Sequence, residues 1–201
     1  PSLTILTCLA HYDQARQYCE AGLIIAQQNG ARWEEGQIWN TLGVWAAVQQ
    51  LHEESARHFA TSLHIGREIG DRKSESTTLN NLAIVVQMQR LYDQAQQYSE
   101  ESLVSMREIG HLQGVTRSLS NLGITALYCG NYDRAYRYLT EAVALSRQLG
   151  AQKVMASILV DLGHVLIRQA DYAQAETVLT EGLSLARRVK APLEEHSYLY
   201  C

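Results

Sequence analysis

The chain has 201 residues, 46% of them hydrophobic and 19% charged, which excludes a disordered tail and allows a packed core. A formal net charge of −4 argues against a nucleic-acid binder, which would carry a basic face. No apolar run approaches the ~20 residues needed to cross a bilayer, so neither nucleic acid nor membrane is expected as a partner, and the expected location is cytoplasmic.

Two kinds of segment alternate along the chain. One kind reads HYDQARQYCEAGL, LHEESARHFATSL, LYDQAQQYSEESL, NYDRAYRYLTEAV and DYAQAETVLTEGL, beginning at His11, Leu51, Leu91, Asn131 and Asp171, always 40 residues apart. The other kind lies between them, also 40 apart: IWNTLGVWAAVQQ, TLNNLAIVVQMQR, SLSNLGITALYCG and ILVDLGHVLIRQA. A fixed period of this size marks a repeat architecture. The only prolines are Pro1 and Pro192, so nothing between them forbids long helices. A single Phe and little β-branched alternation argue against a β fold.

Both segments carry helical spacing. In the later segment of each copy, Tyr132, Ala135, Leu139, Ala142 and Val143 fall on one face, as do Tyr92, Ala95, Ser99, Ser102 and Leu103. In the earlier segment Leu79, Leu82, Ala83 and Val86 do the same. Gly30, Gly70, Gly110 and Gly150 follow the later helix and suit a left-handed C-cap. Asn131 and Asp171 stand at its N-cap, whereas His11, Leu51 and Leu91 offer weaker caps there. Gly43, Ala83, Gly123 and Gly163 recur on the first helix, and Ala15, Ser55, Ala95, Ala135 and Ala175 on the second. Glycine inside a helix costs about 1 kcal/mol relative to alanine, so its repeated use predicts close approach of the paired helices.

Of the four cysteines, Cys8, Cys19, Cys129 and Cys201, none has CxxC or zinc spacing, and reduced thiols are expected. Cys19 shares a register with Phe59, Leu139 and Leu179 and reads as a small core residue. The seven His residues lack HxxxH or HExxH spacing, and neither GxxxxGK[ST] nor GxSxG occurs. No metal, cofactor or catalytic group is expected, and the chain reads as no enzyme.

WNTLG, Trp39 to Gly43, with LNNLA, LSNLG and LVDLG in register, and the later pairs Ser55/Phe59, Ala95/Ser99, Ala135/Leu139 and Ala175/Leu179, resemble the tetratricopeptide repeat. Two departures are a 40-residue unit in place of the common 34 and the missing terminal Pro. The 40-residue form is similar to arrays in Pins-type spindle-orientation adaptors and in bacterial signal-transduction ATPases and transcriptional regulators. The resemblance implies an all-α, right-handed superhelical α-solenoid of antiparallel helix pairs, a single segment over 1–201 holding about five repeats. PSLTILTCLA matches the last part of a first helix and APLEEHSYLYC the start of another, with Leu199 in the place of Leu79, so a segment cut inside a repeat at both ends is expected. Uncapped end repeats leave end-to-end self-association open.

In such an array the first helices line a concave groove. The stripe beside their packing face places Gln37, Asn40, Thr77, Asn80, Asn81, Ile84, Gln87, Arg117, Asn121, Ile124, Tyr128, Asp161, His164 and Arg168 there as candidate peptide-binding residues. Thr41, Asn81, Asn121 and Asp161 form a polar ladder suited to a peptide backbone. Asn81 and Asn121 read equally as ligand groups or as structural bonds to a neighbouring helix. Arg117 and Arg168 suit a partner carboxylate, or pairing with Asp161 or solvent. The carboxylate clamp of chaperone co-factors is matched only at Asn81 and Arg117, so a chaperone tail is not the expected partner. The expected function is a non-catalytic protein- or peptide-binding scaffold. The alternative is a sensor segment of a larger signalling ATPase or transcriptional regulator, binding a small effector or making autoinhibitory contacts.

Overall fold

The computed structural model describes residues 3–188, with side chains from Arg16 onward. Pro1, Leu199, Cys201 and the side chain of Cys8 lie outside the described residues. Every element among these residues is an α-helix: α1 (Leu3–Gln28), α2 (Arg32–Val48), α3 (His52–Ile69), α4 (Arg72–Met88), α5 (Tyr92–Glu108), α6 (Leu112–Tyr128), α7 (Tyr132–Gln148), α8 (Gln152–Arg168) and α9 (Tyr172–Arg188). The chain divides into two compact units, Pro1–Leu91 with α1 to α4 and Tyr92–Cys201 with α5 to α9.

The 40-residue phase appears as α2, α4, α6 and α8, the first helices, and α3, α5, α7 and α9, the second. The second-helix start expected near His11 is the exception. Helix α1 passes through this position without a break. Leu9 and Ala10 are strong helix formers. The register-equivalent Ala170 does turn, but there Asp171 Oδ1 accepts from the Gln174 N–H at 3.1 Å and starts a new helix.

The turns repeat one geometry. The backbone N–H of Leu51 reaches the Ala46 carbonyl at 2.8 Å and that of Gln50 the Ala47 carbonyl at 2.9 Å, and the same two bonds recur in every turn between described helices. This is the Schellman closure. It places Gly30, Gly70, Gly110 and Gly150 at φ between 65° and 72°, as their spacing predicts. After the first helices the same left-handed position falls to Gln50, Arg90, Gly130 and Ala170, at φ between 61° and 74°; only Gly130 lacks the side-chain penalty. N-caps also occur on first helices: Asp71 Oδ1 accepts from the Ser74 N–H at 3.1 Å, and His111 Nδ1 from the Gly114 N–H at 3.0 Å.

Within each unit, consecutive helices pack pairwise. In unit 1 α2 packs on α1 and α3, α4 packs on α3, and α2 also touches α4. In unit 2 α5 to α9 pack in succession, with α6 touching α8. Leu119, Leu122, Leu139, Ile158, Leu159, Leu166 and Leu185 form the centre of the unit 2 core, each at most 2% exposed. The recurrent glycines do allow close approach. A Cβ on Gly43 would lie 2.6 Å from the Phe59 ring, and one on Gly123 or Gly163 2.5 Å from Leu139 or Leu179. Buried hydroxyls seal the same seams: Ser55 Oγ donates to the Gly43 carbonyl at 2.7 Å and Ser62 Oγ to that of Gly36 at 2.9 Å.

Cys19 departs from the core position given to it. It is half-buried, and burial followed by the adjacent Glu20 raises its thiol pKa. Phe59 and Leu139 in the same register are almost wholly buried. Those residues have helices on both sides, whereas α1 is packed by α2 alone within its unit.

Candidate functional site

In unit 1 the candidate stripe runs along α2 and α4. Asn81 Nδ2 donates to Asn40 Oδ1 at 2.9 Å, and Gln37 Nε2 to Ser74 Oγ at 2.8 Å. These polar groups therefore tie α2 to α4. Thr77 Oγ1 bonds back to the Lys73 carbonyl at 2.9 Å, and Thr41 Oγ1 to that of Gln37. Asn80, expected on the groove floor, has no exposed surface and is a core residue. A helix contacted by both α2 and α3 buries more than one stripe, so Ser76 and Thr78 go inside with it. Apart from the exposed Thr41, what unit 1 exposes on this stripe is apolar: Ile84 and Met88 on α4, Val44 and Val48 on α2, with Gln87 half-buried beside them. No charged residue interrupts these positions.

In unit 2 the stripe runs along α6 and α8 and has a different character. Arg117, His164 and Arg168 are exposed and make no hydrogen bond or ion pair among the described residues. Asn121 is buried, at 6% exposure, which corrects its placement on the open face; it has helix neighbours on either side, as Asn80 does. Ile124 is half-buried, and Tyr128 is exposed with its ring stacked on Tyr92 at 5.7 Å. Asp161 is half-buried, and the pairing with Arg117 or Arg168 that the sequence allows does not form. Loss of hydration pushes its carboxyl up to about 7.

Other features lie off this stripe. Trp39 is half-buried and stacks on His58 at 5.2 Å, while exposed Trp33 donates its Nε1–H to Asp71 at 2.9 Å. A cleft of about 140 Å³ beside Trp39, Leu42 and Trp45 falls below the ~300 Å³ usual for small-molecule sites. On α9, Tyr172 is 67% and Leu183 38% exposed, whereas the register-equivalent Val143 is 7% exposed. No group of three His, Cys, Asp or Glu among the described residues is placed to hold a metal, and no described helix is long and apolar enough to cross a membrane.

The pairwise packing, the glycine seams and the 40-residue register have a counterpart in one family model. That model, described as tetratricopeptide repeat, matches residues 34–108 and 114–188. The chain belongs to the tetratricopeptide repeat family. No curated protein matches the sequence. Solved structures with tetratricopeptide-like folds do. BtubC (BKLC) from P. vanneervenii superposes with a TM-score of 0.78 at 19% identity, over 92% of this chain and 77% of that one. A signal-transduction ATPase with numerous domains and a tetratricopeptide repeat sensor, from Pyrococcus horikoshii, gives 0.77 at 17% identity, over 94% of this chain and 30% of that one. The Rap conjugation gene regulator of plasmid pLS20, in complex with a Phr peptide, gives 0.76 at 17% identity, over 92% and 51%. At these identities the likeness is one of fold.

Proposed function

We propose that this tetratricopeptide repeat chain is a non-catalytic scaffold that binds a protein or peptide segment on the exposed stripe of its first helices. One observation carries the reading: unit 2 leaves Arg117, His164 and Arg168 exposed along α6 and α8, with no pairing partner among the described residues. By contrast Arg107 and Arg147, on second helices, are paired with Glu141 and Glu181 at 2.6 and 2.7 Å. Unpaired guanidinium groups on one face suit a carboxylate-bearing partner. In unit 1, taken by itself, the uncharged apolar positions Val44, Val48, Ile84 and Met88 suit the apolar side chains of a peptide segment. Asn40, Asn81 and Gln37 act in this reading as the braces of the face, and Asn80 and Asn121 as core residues behind it. An array of synthetic octapeptides probed with the full chain tests it. Arg117→Ala with Arg168→Ala should abolish binding to acidic spots while leaving the unfolding transition in place; binding that survives this change would move recognition elsewhere.

A second reading is a sensor segment of a larger regulator. It is supported by the fold shared with the repeat sensor of the Pyrococcus horikoshii ATPase. Self-association through the apolar α9 face around Tyr172 and Leu183 is compatible with either reading. Sedimentation velocity over a concentration series tests it: a sedimentation coefficient that does not rise with concentration removes it.

A further inference from the structure

We infer that Asp161 is the subsite at which a cationic group of the bound peptide, an ammonium or a guanidinium, is recognised. The inference rests on the groove reading above and adds to it a partner chemistry that the arginines do not specify. Helix α8 touches α6 as well as α7 and α9, so the Asp161 side chain is partly withdrawn from water between packed helices. Its register mate Asn81 spends its amide on Asn40 at 2.9 Å. For Asp161 the residue corresponding to Asn40 is Ser120, and no bond joins the two. Neither Arg117, one turn earlier in register, nor Arg168, two turns on, supplies a partner. Asp161 thus occupies a stripe position of α8 with no hydrogen-bond donor among the described residues.

Its carboxylate oxygens still reach solvent, so the group keeps part of its hydration, lacks a protein donor among the described residues and stays open to an incoming cation. Its desolvation raises the pKa to about 7. An incoming ammonium or guanidinium restores the missing hydrogen bonds and charge at once, and such charge-assisted bonds strengthen as water leaves. Asparagine, which this register carries at Asn81 and Asn121, has no charge with which to prefer a cation. The acidic residue therefore gives unit 2 a selectivity that unit 1 lacks.

The test is an array of random octapeptides anchored by their C-termini, each made with a free and an acetylated N-terminus. It is probed at pH 8 with the full chain and with Asp161→Asn, both first shown to unfold cooperatively. Spots bound by the native chain should be enriched in Lys or Arg, or in free N-termini, and lose roughly tenfold in signal with the amide variant. Dependence on the free amine identifies a terminal ammonium, and indifference to acetylation identifies a side-chain cation. Equal binding of one set of peptides by both proteins, without basic enrichment, overturns this inference and leaves the groove reading standing. An array with no bound spot overturns both.

Discussion

The side-chain amide of Asn81 donates to the side-chain oxygen of Asn40 at 2.9 Å, joining two first helices 41 positions apart in the chain. A part-buried amide pair of this kind contributes about 0.5–1.5 kcal/mol. Asn40→Ala and Asn81→Ala should each lower stability by about 1 kcal/mol, and the double variant should lose less than the sum. A urea-unfolding double-mutant cycle reads the coupling. Fully additive losses would show that the bond contributes nothing.

Gly123→Ala places a methyl 2.5 Å from Leu139 Cγ. Overpacking costs about 1–3 kcal/mol, against a helix-propensity gain of about 1 kcal/mol. Net destabilisation is expected, and the change should be far better tolerated on a Leu139→Ala background, where the obstructing side chain is gone. Thermal unfolding of the single and double variants checks this.

Ala170 closes α8 at φ 61°, a conformation that costs an L residue about 1–2 kcal/mol and glycine almost nothing. Ala170→Gly should therefore stabilise the chain by about 1 kcal/mol. Its counterpart Gly130→Ala should destabilise it by a similar amount, at φ 74°. Chemical denaturation of both variants measures the pair.

Asp161 holds its proton to about pH 7 in the folded chain, above the ordinary carboxylate value of 3.8 it regains on unfolding. Between these values the folded state binds more protons, so this group lowers stability as pH rises through the window and has no further effect above it. Asp161→Asn should match the native chain near pH 4 and exceed it at pH 7.5. Discounted for partial exposure, the gain should be on the order of 1–2 kcal/mol. Parallel stability curves across pH 4 to 7.5 would show that the carboxyl ionises normally.

Much of this architecture is legible in the residues because its cause is local. The glycines after the second helices, the Asn131 and Asp171 caps and the small residues at Gly43, Gly123 and Gly163 each answer a steric or hydrogen-bonding demand met within one helix pair. What escaped was set by the next helix over. Asn80 and Asn81 differ by about 100° on one helix, yet one is buried and the other bonds to Asn40, because α4 is covered by α2 as well as α3. Gln50, Arg90 and Ala170 gave no sign of left-handed backbone, since none is a residue that prefers it. The missing pairing of Asp161 with an arginine was likewise a matter of geometry between helices.

The uniform turn has a last consequence. Turns from first to second helix and from second to first close with the same two backbone bonds, whether the left-handed residue is glycine, glutamine, arginine or alanine. The joint is written in the main chain, and side chains only tune it. A chain cut at one residue and rejoined to its mate 40 positions on meets the same joint again. Repeat number can therefore change by duplication or deletion without redesign of a single connection, whereas one residue added inside a turn would break its two closing bonds, and one added inside α6 before Gly123 would swing that glycine about 100° away from the seam it shares with Leu139.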